Sequence, residues 1–248
     1  MARRKSLAFL DVGQGDCFVA DTKSGAIIFD GGSSSEDQVG RYRILPYIKY
    51  LGYQKIQIAV ISHMDIDHYS GIKELLERGK IKYLGLPEIP KDETMKKIIG
   101  IAKKRGTTIF YLSRGRQITT KDGSLKVLHP QKNSQMEKNA ASLVMQGKIL
   151  GYRVLLTGDV EKEGEEELLS EKLERADILK AAHHGSKNST SNEFLQKVQP
   201  KQTVISCGKQ NRYGHPHLET IHRLQTYRTK IYRTDRSGAI IFFKRRDG

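Results

Sequence analysis

Ser62-His63-Met64-Asp65-Ile66-Asp67-His68-Tyr69-Ser70-Gly71 follows directly on the apolar run Ile56 to Ile61 and precedes helical spacing from Gly71 to Leu76. A short run rich in Ile and Val reads as a buried strand. The polar cluster is therefore expected on the loop that leaves a strand end, where α/β proteins place binding and catalytic groups. Ser62, His63, Asp65, Asp67 and His68 crowd five hydrogen-bonding or metal-competent side chains into seven residues. Imidazole and carboxylate together suit zinc, manganese or iron better than calcium or magnesium.

Outward from this stretch, strand and helix signals alternate without a linker, so residues 1–248 are expected to form one α/β domain. Leu7 to Leu10, Cys17 to Ala20 and Ala26 to Phe29 read as an opening antiparallel meander. Tyr42 to Leu51 has helical spacing, with Pro46 acceptable only in its first turn. A short helix is expected over Ile72 to Arg78, and another after the cap Asp92, stopping at Gly106. Strands follow at Thr107 to Leu112, Leu125 to Leu128, Ser142 to Gln146 and Tyr152 to Leu156. Glu161 to Leu173 reads as a helix, Ile178 to Ala182 as a strand, and Thr190 to Glu193 as a capping box. The closing elements are strands at Thr203 to Ser206, Ile231 to Thr234 and Ala239 to Phe243, with a helix near Leu218 to Tyr227. Ser24-Gly25-Ala26-Ile27-Ile28-Phe29 recurs as Ser237-Gly238-Ala239-Ile240-Ile241-Phe242, as two similar β-rich halves packed face to face would allow.

Lys and Arg number 43 against 28 Asp and Glu, a formal net charge of +15. Seven of those acids fall between Glu161 and Glu174, which leaves the remaining surface more basic still. Arg3-Arg4-Lys5, Lys96-Lys97, Lys103-Lys104-Arg105 and Lys244-Arg245-Arg246 are the main clusters. Such a field favours polyanions: DNA, RNA or an anionic envelope polymer. No apolar stretch approaches the roughly 20 residues that span a bilayer, so membrane insertion by this chain is not expected. The apolar part after the basic N-terminus is too short for a signal peptide, and Cys17 and Cys207 form no CxxC pair. These features suggest a cytoplasmic, reducing setting.

Further polar groups stand at strand ends. Thr157-Gly158-Asp159 closes one strand, with glycine allowing close backbone approach. His183-His184-Gly185-Ser186 closes another, where alternation along a strand would turn the two imidazoles opposite ways. His63, Asp65, Asp67, His68, Asp159 and His184 make six candidate ligands, enough for two metals. Asp30, at a strand end, could orient a metal-bound histidine or simply terminate its strand. The loop Asp11 to Asp16 lacks the phosphate-loop pattern and reads as a structural turn behind the metal loop. His215 is expected to line the active site, His217 to stay out of it, and Asn211 to cap a loop or line the pocket.

The order Asp11-Val12-Gly13-Gln14-Gly15-Asp16, Asp30-Gly31-Gly32, the His63–His68 cluster, Thr157-Gly158-Asp159, His183-His184-Gly185-Ser186 and Tyr213-Gly214-His215-Pro216 resembles the metallo-beta-lactamase fold family. It is most similar to the subfamily holding the hydrolase domain of the competence protein ComEC and its stand-alone relatives. The motifs extend from Asp11 to Gly238. The resemblance implies a four-layer α/β/β/α sandwich and a two-metal hydrolase using two divalent ions, zinc or manganese. Carried over position by position, it places His63 and Asp65 on one metal and Asp67 with His68 on the other. Asp159 would bridge them, and His184 would complete the second site. Asp67, His183 and His215 would touch the reaction, His183 as a phosphate contact or general acid. Asp65 stands where the family's signature has histidine, which makes that site harder and favours manganese. The family's third histidine for the first metal has no clear counterpart; Asn139 and Ser142 lie in the interval, and His129 is a weaker match.

Metal binding lowers the pKa of water from 15.7 to about 7, so no side-chain nucleophile is needed. The expected activity is phosphodiester cleavage by metal-activated water, with nucleic acid as partner and DNA ahead of RNA. Two alternatives stay open: hydrolysis of a small phosphoester such as a phosphocholine or nucleotide ester, and nucleic-acid binding with weak or no catalysis. Oligomeric state is not legible.

Overall fold

A computed structural model describes residues 4–136 and 139–245. Arg3 and Arg246 of the basic clusters lie outside the described residues. The chain first lays down strands β1 (Ser6–Phe9), β2 (Phe18–Thr22) and β3 (Gly25–Phe29), then helix α1 (Leu45–Tyr50), β4 (Ile56–Val60), α2 (Ile66–Glu77), β5 (Ile81–Pro87), α3 (Glu93–Lys104) and β6 (Thr108–Leu112). The second run comprises β7 (Gln117–Thr120), β8 (Gly123–His129), β9 (Val144–Ile149), β10 (Tyr152–Leu156), α4 (Lys162–Ser170), β11 (Ile178–Lys180), α5 (Asn192–Val198), β12 (Gln202–Ile205), α6 (Leu218–Thr226) and β13 (Lys230–Arg233). After the single turn α7 (Thr234–Ser237), strand β14 (Ile240–Phe243) returns to the first sheet.

Two seven-stranded sheets result, ordered β14-β1-β2-β3-β4-β5-β6 and β13-β12-β11-β10-β9-β8-β7. In each, three antiparallel pairings give way to three parallel ones, the latter bridged by helices. Side-chain alternation builds three apolar layers. Ile27 and Phe29 of β3 enter the core between the sheets, while Ala26 and Ile28 face the layer shared with α1, α2 and α3. Leu155 and Leu179 face α4 and α5 on the other side, where Leu168, Phe194 and Leu195 pack. Strands covered on both faces read as unbroken apolar runs. This is the expected α/β/β/α sandwich. Among the described residues, no helix is long and apolar enough to cross a membrane.

Several expectations are corrected. Helix α2 begins at Ile66, not Ile72, so Asp67 and His68 ride on its first turn rather than on a free loop. Strands β5 and β7 were not anticipated. Lys82 and Gly85 interrupt the apolar pattern of β5, and Gly85 is needed because a Cβ there would stand 2.9 Å from the Phe110 ring. Strand β7 is a polar edge. The cap of α5 is Ser191, whose hydroxyl accepts from Phe194 N at 3.2 Å, while Thr190 instead accepts from Ala182 N. The hexapeptide repeat does not trace the two halves. Both copies lie in the first sheet, as interior β3 and edge β14, while the pattern of pairings makes β10 the counterpart of β3. Each copy keeps the same phase: Ile240 and Phe242 point inward like Ile27 and Phe29, and Ile241 is left exposed at the edge.

Asp177 ties the start of β11 to its neighbours. Its carboxylate accepts from Arg153 N at 3.0 Å and pairs with Lys201 at 3.0 Å and Arg245 at 3.3 Å. Burial pushes its pKa upward, but the Arg153 hydrogen bond and the two cations outweigh that and hold it below the ordinary aspartate value. A carboxylate depressed in the fold stabilises it above the unfolded pKa of about 3.9 and loses that contribution as acid protonates it. Asp177→Asn should therefore cost about 1–3 kcal/mol at neutral pH. The gap from wild type, read from urea midpoints, should shrink below about pH 4; a gap that stays constant with pH would refute this account.

Candidate metal centre

The carboxyl ends of β3, β4, β10, β11 and β12 open on the same side, so both halves contribute to one cleft of about 260 Å³. Asp67, Asp159, His183, His184, His215 and Tyr213 line it. Close backbone packing makes this possible. A Cβ on Gly158, whose φ is +52°, would stand 2.9 Å from Ser62 Cβ, and one on Gly32 would meet Ile66 O at 2.5 Å.

Each imidazole is aimed by a partner on its Nδ1. His68 Nδ1 lies 2.9 Å from Asp30 Oδ2, and both side chains are fully buried. The same carboxylate accepts from Ser62 N at 2.7 Å and Ser62 Oγ at 2.8 Å. His184 Nδ1 lies 2.9 Å from Ser206 O, a carbonyl that can only accept, so Nδ1 carries the proton and Nε2 presents its lone pair. His63 Nδ1 faces Ser62 Oγ at 3.0 Å and Ser142 Oγ at 3.2 Å. Asp30 therefore orients His68 as one of its two expected readings required, and Ser142 sits beside His63.

The inward-facing atoms lack hydrogen-bond partners: His63 Nε2, His68 Nε2, His184 Nε2 and Asp159 Oδ1 are all buried and unsatisfied. Buried polar atoms are otherwise almost always paired. His68 Nε2 is 3.2 Å from Asp159 Oδ1 without hydrogen-bond alignment. His184 Nε2 is 3.4 Å from Asp67 Oδ2 and 3.5 Å from Asp159 Oδ2. Ligands about 2.1 Å from one ion in a tetrahedron stand about 3.4 Å apart. His63, His68 and Asp159 form one ligand group, and Asp67, His68 and His184 another, with ligand atoms within 4.8 Å of one another in each. The residues fit divalent ions.

Asp65 is more exposed, at 38%, on the cleft wall, with Oδ2 3.7 Å from His63 Nε2. His183 presents Nε2 3.8 Å from Asp159 Oδ2, its Nδ1 held by Glu161 at 2.8 Å. The expected alternation of His183 and His184 does not apply: β11 ends at Lys180, and both histidines take left-handed backbone angles, which turn their rings toward the same cleft. Asn211 caps the loop before His215, donating to Gly208 O and His215 O and accepting from His215 N. His217 instead accepts from Lys187 N at 3.0 Å. His129 is buried away from the groups, with Nε2 2.7 Å from Ala140 O and Glu167 near its Nδ1.

Asp16 and Lys180 were missed. The expected place behind the metal loop is right for the backbone of Asp16, whose N–H donates to Asp67 O at 3.0 Å. Its carboxylate also pairs with the buried Lys180 ammonium and lies 3.6 Å from His184 Nδ1, and it joins two further ligand groups. A lone lysine within the apolar strand Ile178 to Ala182 was the available signal, since buried lysines need partners.

Burial opposes every charge here, and the cluster overrides it. Asp159 and Asp30 hold His68 protonated well above its ordinary pKa, and His184 is raised by Asp159 and Asp16. Asp67 is brought down to about 2 by the adjacent His184 imidazole, 3.4 Å away, and by the charge of His68. Asp159 is held well below its usual range by His68, His184 and Lys180. The field that keeps a second proton on His68 equally favours a metal cation at its Nε2. Removing the Asp30 charge should therefore weaken metal binding about 10–100-fold. Asp30→Asn, compared with wild type by competition against a chromogenic chelator, tests this; equal affinities would rule out the orienting role.

A profile of the metallo-beta-lactamase superfamily matches residues 10–209. ComE operon protein 3 of Bacillus subtilis is 37% identical over 259 residues, covering 96% of this chain and 33% of that protein. Competence protein ComA of Neisseria gonorrhoeae is 30% identical over 248 residues, covering 96% and 32% respectively. The chain thus spans about a third of the length of these relatives. The metallo-beta-lactamase fold protein YhfI from Bacillus subtilis superposes with a TM-score of 0.62 at 13% identity, covering 95% of this chain and 99% of that one, a likeness of fold.

Proposed function

Because this chain belongs to the metallo-beta-lactamase superfamily, we propose that it is a two-metal phosphodiesterase acting on nucleic acid, DNA ahead of RNA. The observation that carries the reading is the convergence on the Asp159 carboxylate of three buried imidazole Nε2 atoms that have no hydrogen-bond partner. In this reading His63 and Asp65 would hold one ion and Asp67, His68 and His184 the other, with Asp159 as a further donor. A carboxylate at Asp65 favours manganese at the first position, with zinc the alternative. When bound, such ions supply Lewis acidity, which acidifies water and draws charge from a phosphoryl oxygen.

The remaining roles belong to side chains. Glu161 anchors His183 Nδ1, so its Nε2 can donate to a phosphoryl or leaving oxygen at the cleft. Burial, reinforced by His184, His183 and His217, lowers His215 to about 4. At neutral pH it is an uncharged imidazole that can orient a substrate without adding charge. The net charge of +15 supports a polyanionic substrate. The relatives named for competence support DNA. A small phosphoester is the second reading, favoured by a cleft of about 260 Å³, just under the usual range of ligand pockets of about 300–1,000 Å³.

Two outcomes test the proposal. Chelation should abolish cleavage of labelled oligonucleotides, and manganese or zinc should restore it. Asp67→Ala and Asp159→Asn should each lose more than about 100-fold, beyond the cost of an outer-shell partner, with the fold intact by circular dichroism. Full activity in either variant would remove these residues from the site. Separately, oligonucleotide affinity should fall linearly in log K against log salt, with a slope of about −0.7 per neutralised phosphate for single strands. Salt-insensitive affinity would shift the assignment to a small phosphoester.

A further inference from the structure

We propose that Tyr213 and Ile66 form a stacking subsite for an unpaired nucleobase beside the scissile phosphate, so that the substrate strand is bound single-stranded. The inference rests on the nucleic-acid reading above and specifies the form of the polymer.

Tyr213 is 43% exposed and Ile66 53% exposed, and both line the cleft that holds Asp67 and Asp159. Ile66 belongs to the first half of the chain and Tyr213 to the second, so the flat and apolar surfaces come from different walls of a strongly polar site. The exposed parts of these apolar groups at the mouth offer contact to a ligand. The Tyr213 ring is stacked on His215, with centroids 5.7 Å apart and planes at 22°. His215 in turn lies 5.4 Å from the His183 ring. A ladder of rings therefore leads from the mouth to the imidazole placed beside the reacting phosphate. The double tie of Asn211 to the backbone of His215 fixes the loop that carries Tyr213.

Charge selects the occupant. The exposed Arg212 guanidinium stands 4.9 Å from the Tyr213 ring centroid and donates to its hydroxyl at 2.7 Å. A cationic headgroup, the usual guest of an aromatic face, would meet that like charge. A neutral base would not, and the phosphate next to it would be attracted. A base within a duplex is stacked on both sides and must be extruded at a cost before it can use such a face, whereas a base in a single strand has a face free.

The test uses the manganese-loaded chain with a phosphorothioate strand carrying 2-aminopurine, as single strand and as duplex. Wild type should quench the fluorescence of the single strand and bind it more tightly than the duplex. Tyr213→Ala should weaken single-strand binding about 5- to 150-fold, the worth of one stacked base, leave duplex affinity nearly unchanged and abolish the quenching. Tyr213→Phe, which keeps the ring, should restore the quenching. Undiminished single-strand affinity in Tyr213→Ala, preference for duplex, or no strand binding by wild type would each overturn the subsite. The enzymatic reading is judged separately, on cleavage of the unmodified strand: its failure with Tyr213-dependent binding intact would leave a base-binding cleft without that chemistry.

Discussion

One carboxylate sealed from water holds the site together. Asp30 ends β3 in a left-handed conformation with φ +57°, which aspartate tolerates better than most residues. From there it accepts the backbone and hydroxyl protons of Ser62 after β4 and the Nδ1 proton of His68 on α2. Strands β3 and β4 and helix α2 of the first half are thereby locked in register around one buried charge. Leaving such a charge or its partners unpaired costs about 3–5 kcal/mol. The arrangement is accordingly closer to all-or-none than to a set of independent contacts, and the aim of His68 Nε2 follows from it.

Two electrostatic fields of opposite sign are nested in this molecule. The surface is strongly basic, while Asp16, Asp30, Asp67 and Asp159 gather within one buried region against Lys180 and the imidazoles. Like charges this close can all stay ionised only if cations accompany them. Lys180 supplies one from inside the fold, pinned by Asp16 and within 3.4 Å of Gly158 O. The cleft asks for more positive charge than the chain itself supplies, which is where metal ions belong. A polyanion drawn by the outer field would then meet those cations at the bottom of the cleft. In the proposed reading the outer field would serve capture and the inner one chemistry.

The sequence was most legible where function and local pattern coincide. His63, Asp67, His68, Asp159 and His184 stand at the ends of apolar runs, and the topology brings those ends together. Tertiary contact decided the rest. Strand β5 escapes notice because Gly85 answers to the Phe110 ring of a neighbouring strand, a demand no local pattern reveals. Asp16 looked like turn chemistry because it directly follows the bend at residues 13–15; its carboxylate acquires meaning only when Lys180, far along the chain, lies beside it. The repeated hexapeptide misled for a related reason: an edge strand and an interior strand share a period of two, whatever their place in the duplicated halves.

The centre is assembled across the two sheets, and this couples core packing to chemistry. His63, Asp67 and His68 come from the first half, Asp159 and His184 from the second, so the spacing between them depends on the layer where Phe242 of the first sheet packs 6.0 Å from Tyr152 and 5.8 Å from Tyr232 of the second. Close-packed interiors transmit displacements of a few tenths of an ångström instead of absorbing them. A ligand cage with edges of 3.2 to 3.5 Å has little more tolerance than that. The apolar residues between the sheets thus set the distances among the candidate donors. The groups His63–His68–Asp159 and Asp67–His68–His184 each draw donors from both halves, so those two sets form only when the halves pack together.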